Sequence, residues 1–183
     1  MDKKPFEIIN DIYDAFIDVE IRALRKISND CITEYSIEHS YDLFLLSLIS
    51  YSIAKLLEKP HYWKDKTRAT LAGKADKALQ RSIIFAKEKN QEGFTNSLNQ
   101  VIQEMTQADV QDKRFVRDMF EKARVKAAAR LYAQGISLGA ASELTQIDKR
   151  DILEYAGKTM MFDKFGKTKK MKERLRDVRR IFK

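Results

Sequence analysis

The sequence has few of the residues that break helices, since its 183 residues include only six glycines and two prolines. It also has few runs in which Val, Ile or Thr alternates with polar residues, the pattern that indicates β-strands. These two shortages argue against a sheet and leave long helices as the main elements. The sequence therefore predicts an all-α fold.

A single cysteine, Cys31, excludes an internal disulfide and fits the reducing cytoplasm, where we expect the protein. The two histidines, His39 and His61, are far apart in sequence, so a zinc site is not expected. Neither histidine has a neighbour that suggests acid–base catalysis, and the sequence has no Gly-rich phosphate loop. We therefore expect neither an enzyme nor a bound cofactor.

A stretch of 12 residues without a charge, residues 43–54, reads LFLLSLISYSIA. It is shorter than the roughly 20 residues that a membrane-spanning helix needs. A buried central helix is the better interpretation, and no membrane partner is expected. The N-terminus opens with charged residues and does not have the pattern of a signal peptide.

Apolar residues recur at helical spacing through the N-terminal region. They predict one helix that begins at Pro5 and ends near residues 28–30. The spacing leaves the short segment 31–39 unassigned. The helix that contains the uncharged stretch should begin after Ser40, which can act as its N-cap.

Two more helices are expected before residue 108. A polar helix should run from about 65 to 89, a loop should occupy 90–93, and a further helix should end near Gln107. A break at 108–112 then precedes a long helix that leads into the C-terminal region. We interpret residues 1–108 as a helical bundle that provides a surface for a homodimer or a protein partner.

Residues 125–157 read as three helices in quick succession, VKAAARLYAQGISLGAASELTQIDKRDILEYAG. Gly135 stands where a helix C-cap needs a positive φ. Ser137 and Asp148 can each N-cap the helix that follows, and the segment 145–147 is long enough only for a sharp turn. This is the pattern of a helix-turn-helix, whose second helix enters the major groove of DNA.

Residues 129–154, ARLYAQGISLGAASELTQIDKRDILE, resemble the helix-turn-helix core of small prokaryotic DNA-binding proteins of antitoxin type. The sequence differs from that core at Ser142, where alanine is usual, and at Gln146, where glycine is usual. The resemblance implies DNA binding and transcription regulation, often autoregulation beside a toxin gene. It does not extend into the first 120 or so residues.

Within this module, four residues are expected to be buried where the two helices cross: Ala141, Ile147, Ile152 and Tyr155. Four residues of the second helix should face outward: Lys149, Arg150, Leu153 and Glu154. The two basic residues are suited to guanine edges or phosphates, whereas the acids of this helix repel phosphates. Gly139 suggests a close approach of the backbone to a neighbouring helix or to a phosphate. A helix-turn-helix also occurs as a plain packing unit, and that interpretation stays open.

The positive charge is concentrated at the C-terminal end. Residues 164–183 contain ten basic and two acidic residues, a net charge of +8 that equals the net charge of the whole chain. Four apolar residues there are spaced by 4, 3 and 4 positions, as on one face of a helix: Met171, Leu175, Val178 and Phe182. The tail is suited to nucleic-acid phosphates, to an acidic lipid surface, or to docking on its own bundle or a second copy. The position of the tail directly after the helix-turn-helix favours binding to nucleic-acid phosphates.

We therefore predict a bundle at 1–108, a helix-turn-helix module at 109–163 and a basic tail at 164–183. The predicted function is nucleic-acid binding, with DNA preferred to RNA, in a regulatory or accessory protein. The alternative is a protein-interaction or assembly subunit whose helix-turn-helix is structural. The residues expected to contact nucleic acid are Ser137, Lys149, Arg150, Lys158, Lys167, Lys169, Lys170, Lys172, Arg174, Arg176, Arg179 and Arg180.

Overall fold

A computed structural model describes residues 4–58, 66–107 and 113–164, and every regular element in those ranges is an α-helix. The predicted all-α fold is confirmed. Within the same ranges, no helix is long and apolar enough to cross a membrane. The helices are α1 (Pro5–Ile17), α2 (Ile21–Glu38), α3 (Tyr41–Leu57), α4 (Lys66–Lys87), α5 (Gln91–Gln107), α6 (Lys113–Ala133), α7 (Leu138–Thr145), α8 (Lys149–Lys158) and α9 (Met161–Lys164).

The chain divides into two compact units, Met1–Ala123 and Arg124–Lys183. The boundary falls inside α6, so the first unit contains α1 to α5 and the second contains α7 to α9. The predicted break at 108–112 lies outside the described residues. The ends predicted for α4 and α5 agree with the structure within two residues.

Helix α3 is the buried centre of the first unit, as its uncharged sequence predicts. Leu43, Leu46 and Ile49 are fully excluded from solvent. Two of its serines bond to α2: the hydroxyls of Ser47 and Ser28 lie 3.3 Å apart, and the hydroxyl of Ser50 donates to the carbonyl of Leu24 at 2.6 Å. Small hydroxyl side chains thus let α2 and α3 pack closely while most of their polar atoms keep partners.

The predicted first helix is in fact two helices. α1 ends at Ile17, and α2 continues to Glu38, well beyond the end expected near residues 28–30. The interruption is at Val19, whose φ of +57° is left-handed. Two hydrogen bonds form a Schellman motif around it, from Glu20 N to Ala15 O at 2.8 Å and from Val19 N to Phe16 O at 3.2 Å. This position usually holds glycine, so the pattern of residue types missed the break.

The predicted loop at 90–93 is also wrong, because α5 already begins at Gln91. Asn90 caps it, accepting a hydrogen bond on its side-chain oxygen from the backbone N–H of Gly93 at 2.9 Å. Gly93 lies in the first turn, where a Cβ atom would come within 2.6 Å of the ring of Phe85. The glycine therefore reflects the close packing of α5 on α4.

Candidate nucleic-acid interface

Helix α6 ends in a Schellman motif at the residue that the sequence indicates. Gly135 has a φ of +105°. Its N–H donates to the carbonyl of Tyr132, and the N–H of Ile136 donates to the carbonyl of Leu131, both at 3.1 Å. The predicted C-cap is confirmed, and it sets the direction in which the chain enters α7.

Both predicted N-caps are confirmed as well. The hydroxyl oxygen of Ser137 accepts from the N–H of Ala140 at 3.1 Å, and a carboxylate oxygen of Asp148 accepts from the N–H of Arg150 at 2.7 Å. Asp151 adds a second negative charge to the first turn of α8. The Ser137 hydroxyl proton is still able to donate to another acceptor.

Side chains hold the turn between α7 and α8 in place. Gln146 adopts φ +58° and ψ +32°, and its side-chain amide donates to the carbonyl of Glu143 at 2.7 Å. The hydroxyl of Ser142 donates to the carbonyl of Ile147 at 2.7 Å. Ser142 and Gln146 are the two residues that differ from the antitoxin-type core. Their bonds to the turn backbone help offset the roughly 1 kcal/mol that a left-handed non-glycine residue costs.

The centre of the module differs from the prediction at one position. Ala141, Ile147 and Ile152 are buried as expected, but Tyr155 is only half-buried. Partial burial raises the pKa of the Tyr155 hydroxyl. The fully buried residue is Ala156, which lies one helical turn after Ile152 and therefore on the same face of α8.

No described residue packs closely against the backbone of Gly139. Gly139 is exposed, and a Cβ atom there would come no nearer than 4.0 Å to the Ser137 hydroxyl. Among the described residues, the expected approach to a neighbouring helix is not found. The expected approach to a phosphate stays a prediction.

Helix α8 presents a charged outer face. Lys149, Arg150, Leu153 and Glu154 are all exposed, as predicted. Lys158 is exposed too and forms a salt bridge with Glu154 one turn earlier. The hydrogen bond from Lys158, together with its positive charge, lowers the pKa of the Glu154 carboxyl. With its cap, α8 has three basic and three acidic residues, so it carries no net charge.

Helix α9 contacts α6 close to where the basic tail begins in the sequence. The Phe162 ring packs edge-on against the Tyr132 ring of α6, with 5.1 Å between the ring centroids, and Met161 is buried. Sequence reasoning missed both contacts, because a helix of four residues has too few positions to show a period. The remaining predicted contact residues lie outside the described residues: Lys167, Lys169, Lys170, Lys172, Arg174, Arg176, Arg179 and Arg180.

Comparison of the chain with protein-family models, curated proteins and solved structures finds no match. The resemblance of residues 129–154 to the antitoxin-type core stays a prediction. Three features of the chain itself bear on its function. They are the caps that define α6, α7 and α8, the charges on α8, and the positive charge of the tail.

Proposed function

We propose that this chain is a DNA-binding regulatory or accessory protein in which α7 and α8 act as a helix-turn-helix. The observation that carries the proposal is the run of specific caps at Gly135, Ser137 and Asp148, with a left-handed residue at Gln146. These caps define two short helices joined by a tight turn. Helix α8 has ten residues, about 15 Å, and its outward side is exposed over its whole length.

Affinity and selectivity would come from different parts of the chain. The tail has a net charge of +8, whereas α8 with its cap is neutral, so phosphate attraction falls mainly to the tail. Lys149 and Arg150 occupy the first turn of α8, the part of a recognition helix that reaches base edges. DNA is favoured over RNA because a helix fits the major groove of B-form DNA but not the deep, narrow one of A-form RNA.

Fluorescence anisotropy of a labelled DNA duplex and a labelled RNA, over a range of salt concentrations, tests the proposal with the full chain. We expect Lys149→Ala/Arg150→Ala to weaken DNA binding and to reduce the log–log salt slope by up to about 2, since each phosphate that a basic side chain neutralises adds about 0.9 to the slope. A tail variant with Arg174, Arg176, Arg179 and Arg180 changed to Gln should reduce the slope further.

Lys74→Ala/Lys77→Ala in α4 is the matched control, because it removes the same charge from two exposed residues of the first unit. If both double variants weaken binding equally, α8 does not contact DNA and the helix-turn-helix is a packing unit. If neither polymer binds at low salt, the proposal fails.

The second candidate is a protein-interaction or assembly subunit whose helix-turn-helix is structural. The neutral charge of α8 favours it, together with two exposed apolar side chains, Leu153 (46% exposed) and Met160 (63%). An apolar protein interface depends little on salt, whereas phosphate contacts depend on it strongly. Salt-independent capture of a protein partner that Leu153→Gln/Met160→Gln abolishes would support this candidate.

A further inference from the structure

Helix α1 carries charges of one sign only. Its thirteen residues contain no lysine or arginine. Glu7, Asp11 and Asp14, with Asp18 directly after the helix, are spaced by 4, 3 and 4 positions, which aligns them along one face. Glu7, Asp14 and Asp18 are exposed. The opposite face is buried, so this acidic face is the outer surface of α1.

Two large apolar side chains lie at the end of this acidic face. Ile17 is 54% exposed and Val19 is 51% exposed. Their position beside Asp14 and Asp18 gives the surface both negative charge and exposed apolar area. A positively charged segment with its own apolar stripe would complement such a surface.

The C-terminal tail has that composition. Its apolar stripe is Met171, Leu175, Val178 and Phe182. The next residue in each case is basic, so Lys172, Arg176, Arg179 and Lys183 repeat the spacing of 4, 3 and 4. In a helix, these two stripes would lie side by side. The acidic stripe of α1 and the basic stripe of the tail each span twelve positions, and in a helix this span would be about 16 Å, so the charges of the two stripes would match in register.

We propose that the acidic face of α1 docks residues 171–183 of a second copy of the chain. The basic stripe pairs with Glu7, Asp14 and Asp18, and the apolar stripe covers Ile17 and Val19. This contact does not depend on nucleic-acid binding. If the tail also binds phosphates, nucleic acid and a second copy compete for it.

Salt dependence separates this contact from general charge effects. Two molecules that each carry a net charge of +8 repel one another, and salt weakens that repulsion. General repulsion therefore predicts more self-association as salt is added. Docking of opposite charges predicts the reverse, a monomer–dimer equilibrium that shifts toward the monomer as salt is added.

The test is sedimentation velocity of the full chain at several concentrations, in low and moderate salt. We expect a dimer at low salt, and dimer affinity about tenfold weaker in Glu7→Gln/Asp14→Asn/Asp18→Asn, as for the loss of several exposed ion pairs. Glu38→Gln/Glu88→Gln/Glu92→Gln changes the net charge equally at three other exposed residues of the first unit, and it should retain the dimer. The change of Glu7 to Gln keeps the capping-box bond to the N–H of Lys4 available.

Mixing provides a second test. A tail variant with Lys172, Arg176, Arg179 and Lys183 changed to Gln should not dimerise alone, but it should form heterodimers with the α1 variant, which keeps an intact tail. A wild-type chain that is monomeric at low salt overturns the proposal. So does an α1 variant that dimerises as tightly as the wild type, or a mixture without heterodimers. Anisotropy with DNA on the same variants reports on the proposed function separately, so either proposal can fail alone.

Discussion

The two units of the chain are stabilised in different ways. In the first unit, α1 and α3 bury mainly leucine and isoleucine, and each large side chain contributes about 1.5–3 kcal/mol. In the second unit, many of the buried residues are alanines, such as Ala128, Ala141 and Ala156. Small side chains bury little area, so the second unit depends more on its caps and turn bonds, at about 1 kcal/mol for each cap. Apolar burial therefore contributes most of the stability of the first unit. Caps and turn hydrogen bonds contribute a larger share of the stability in the second unit than in the first.

The largest expected effect is the loss of a core side chain from α3. Leu46→Ala should destabilise the first unit by about 2–5 kcal/mol, because Leu46 is fully buried and the substitution leaves a cavity. Hydrogen exchange should show faster opening of α2 and α3. Ile84→Ala, at a residue that is 53% exposed, should change stability by less than about 0.5 kcal/mol. Equal effects at the two residues would contradict a first unit centred on α3.

Two glycines should respond to alanine in opposite directions. Gly93→Ala should destabilise the first unit by about 1–3 kcal/mol, because the new Cβ atom would lie within 2.6 Å of the Phe85 ring. Gly139→Ala should stabilise α7 by about 0.5–1 kcal/mol, because the site is open and alanine favours helices. Urea denaturation would measure both changes. Destabilisation by Gly139→Ala would show that a contact outside the described residues needs the glycine.

Alkaline pH should weaken the first unit through Cys31. Burial raises the pKa of this thiol from its ordinary 9.0 to about 12, and the neighbouring Asp30 contributes to the increase. Above pH 9 the unfolded chain loses this proton while the folded chain keeps it, so stability falls as pH rises from 9.0 toward about 12. The slope is up to about 1.4 kcal/mol per pH unit.

Cys31→Ala removes that contribution, so its stability should depend less on pH between 9.0 and about 12 than that of the wild type. The comparison uses the pH slope, because the loss of the sulfur atom itself changes stability at every pH. The Cys31 thiol should also react slowly with a disulfide reagent in the folded protein. Rapid reaction at neutral pH would show that it is not buried.

The smallest expected effects compare the two Schellman motifs. Gly135→Ala should destabilise the α6–α7 connection by about 1 kcal/mol, because only glycine adopts its φ of +105° without strain. Val19→Gly should stabilise the α1–α2 connection by about 0.5 kcal/mol, since the relief of strain exceeds the entropic cost of glycine in the unfolded chain. Thermal unfolding would detect both shifts. A loss of stability in Val19→Gly would mean that the exposed valine side chain makes a stabilising contact.

The sequence predicted the local structure of the candidate site more accurately than that of the bundle. Gly135, Ser137 and Asp148 were each assigned the backbone role that the structure gives them. Each cap is a bond between residues a few positions apart, so residue type and spacing are sufficient to predict it. The missed residues, Ala156 and Phe162, are defined by contacts with other helices instead.

The sequence by itself determined the all-α fold, the buried α3 and the capped turns of the second unit. Scarce helix-breaking residues, one long uncharged run and local side-chain-to-backbone bonds are sufficient for these. Only the tertiary structure decided that the chain turns at Val19, that Gly93 packs against Phe85, and that α8 buries Ala156 rather than Tyr155. Those outcomes depend on how closely one helix approaches another, and helical spacing indicates which face is buried but not how deeply each residue lies.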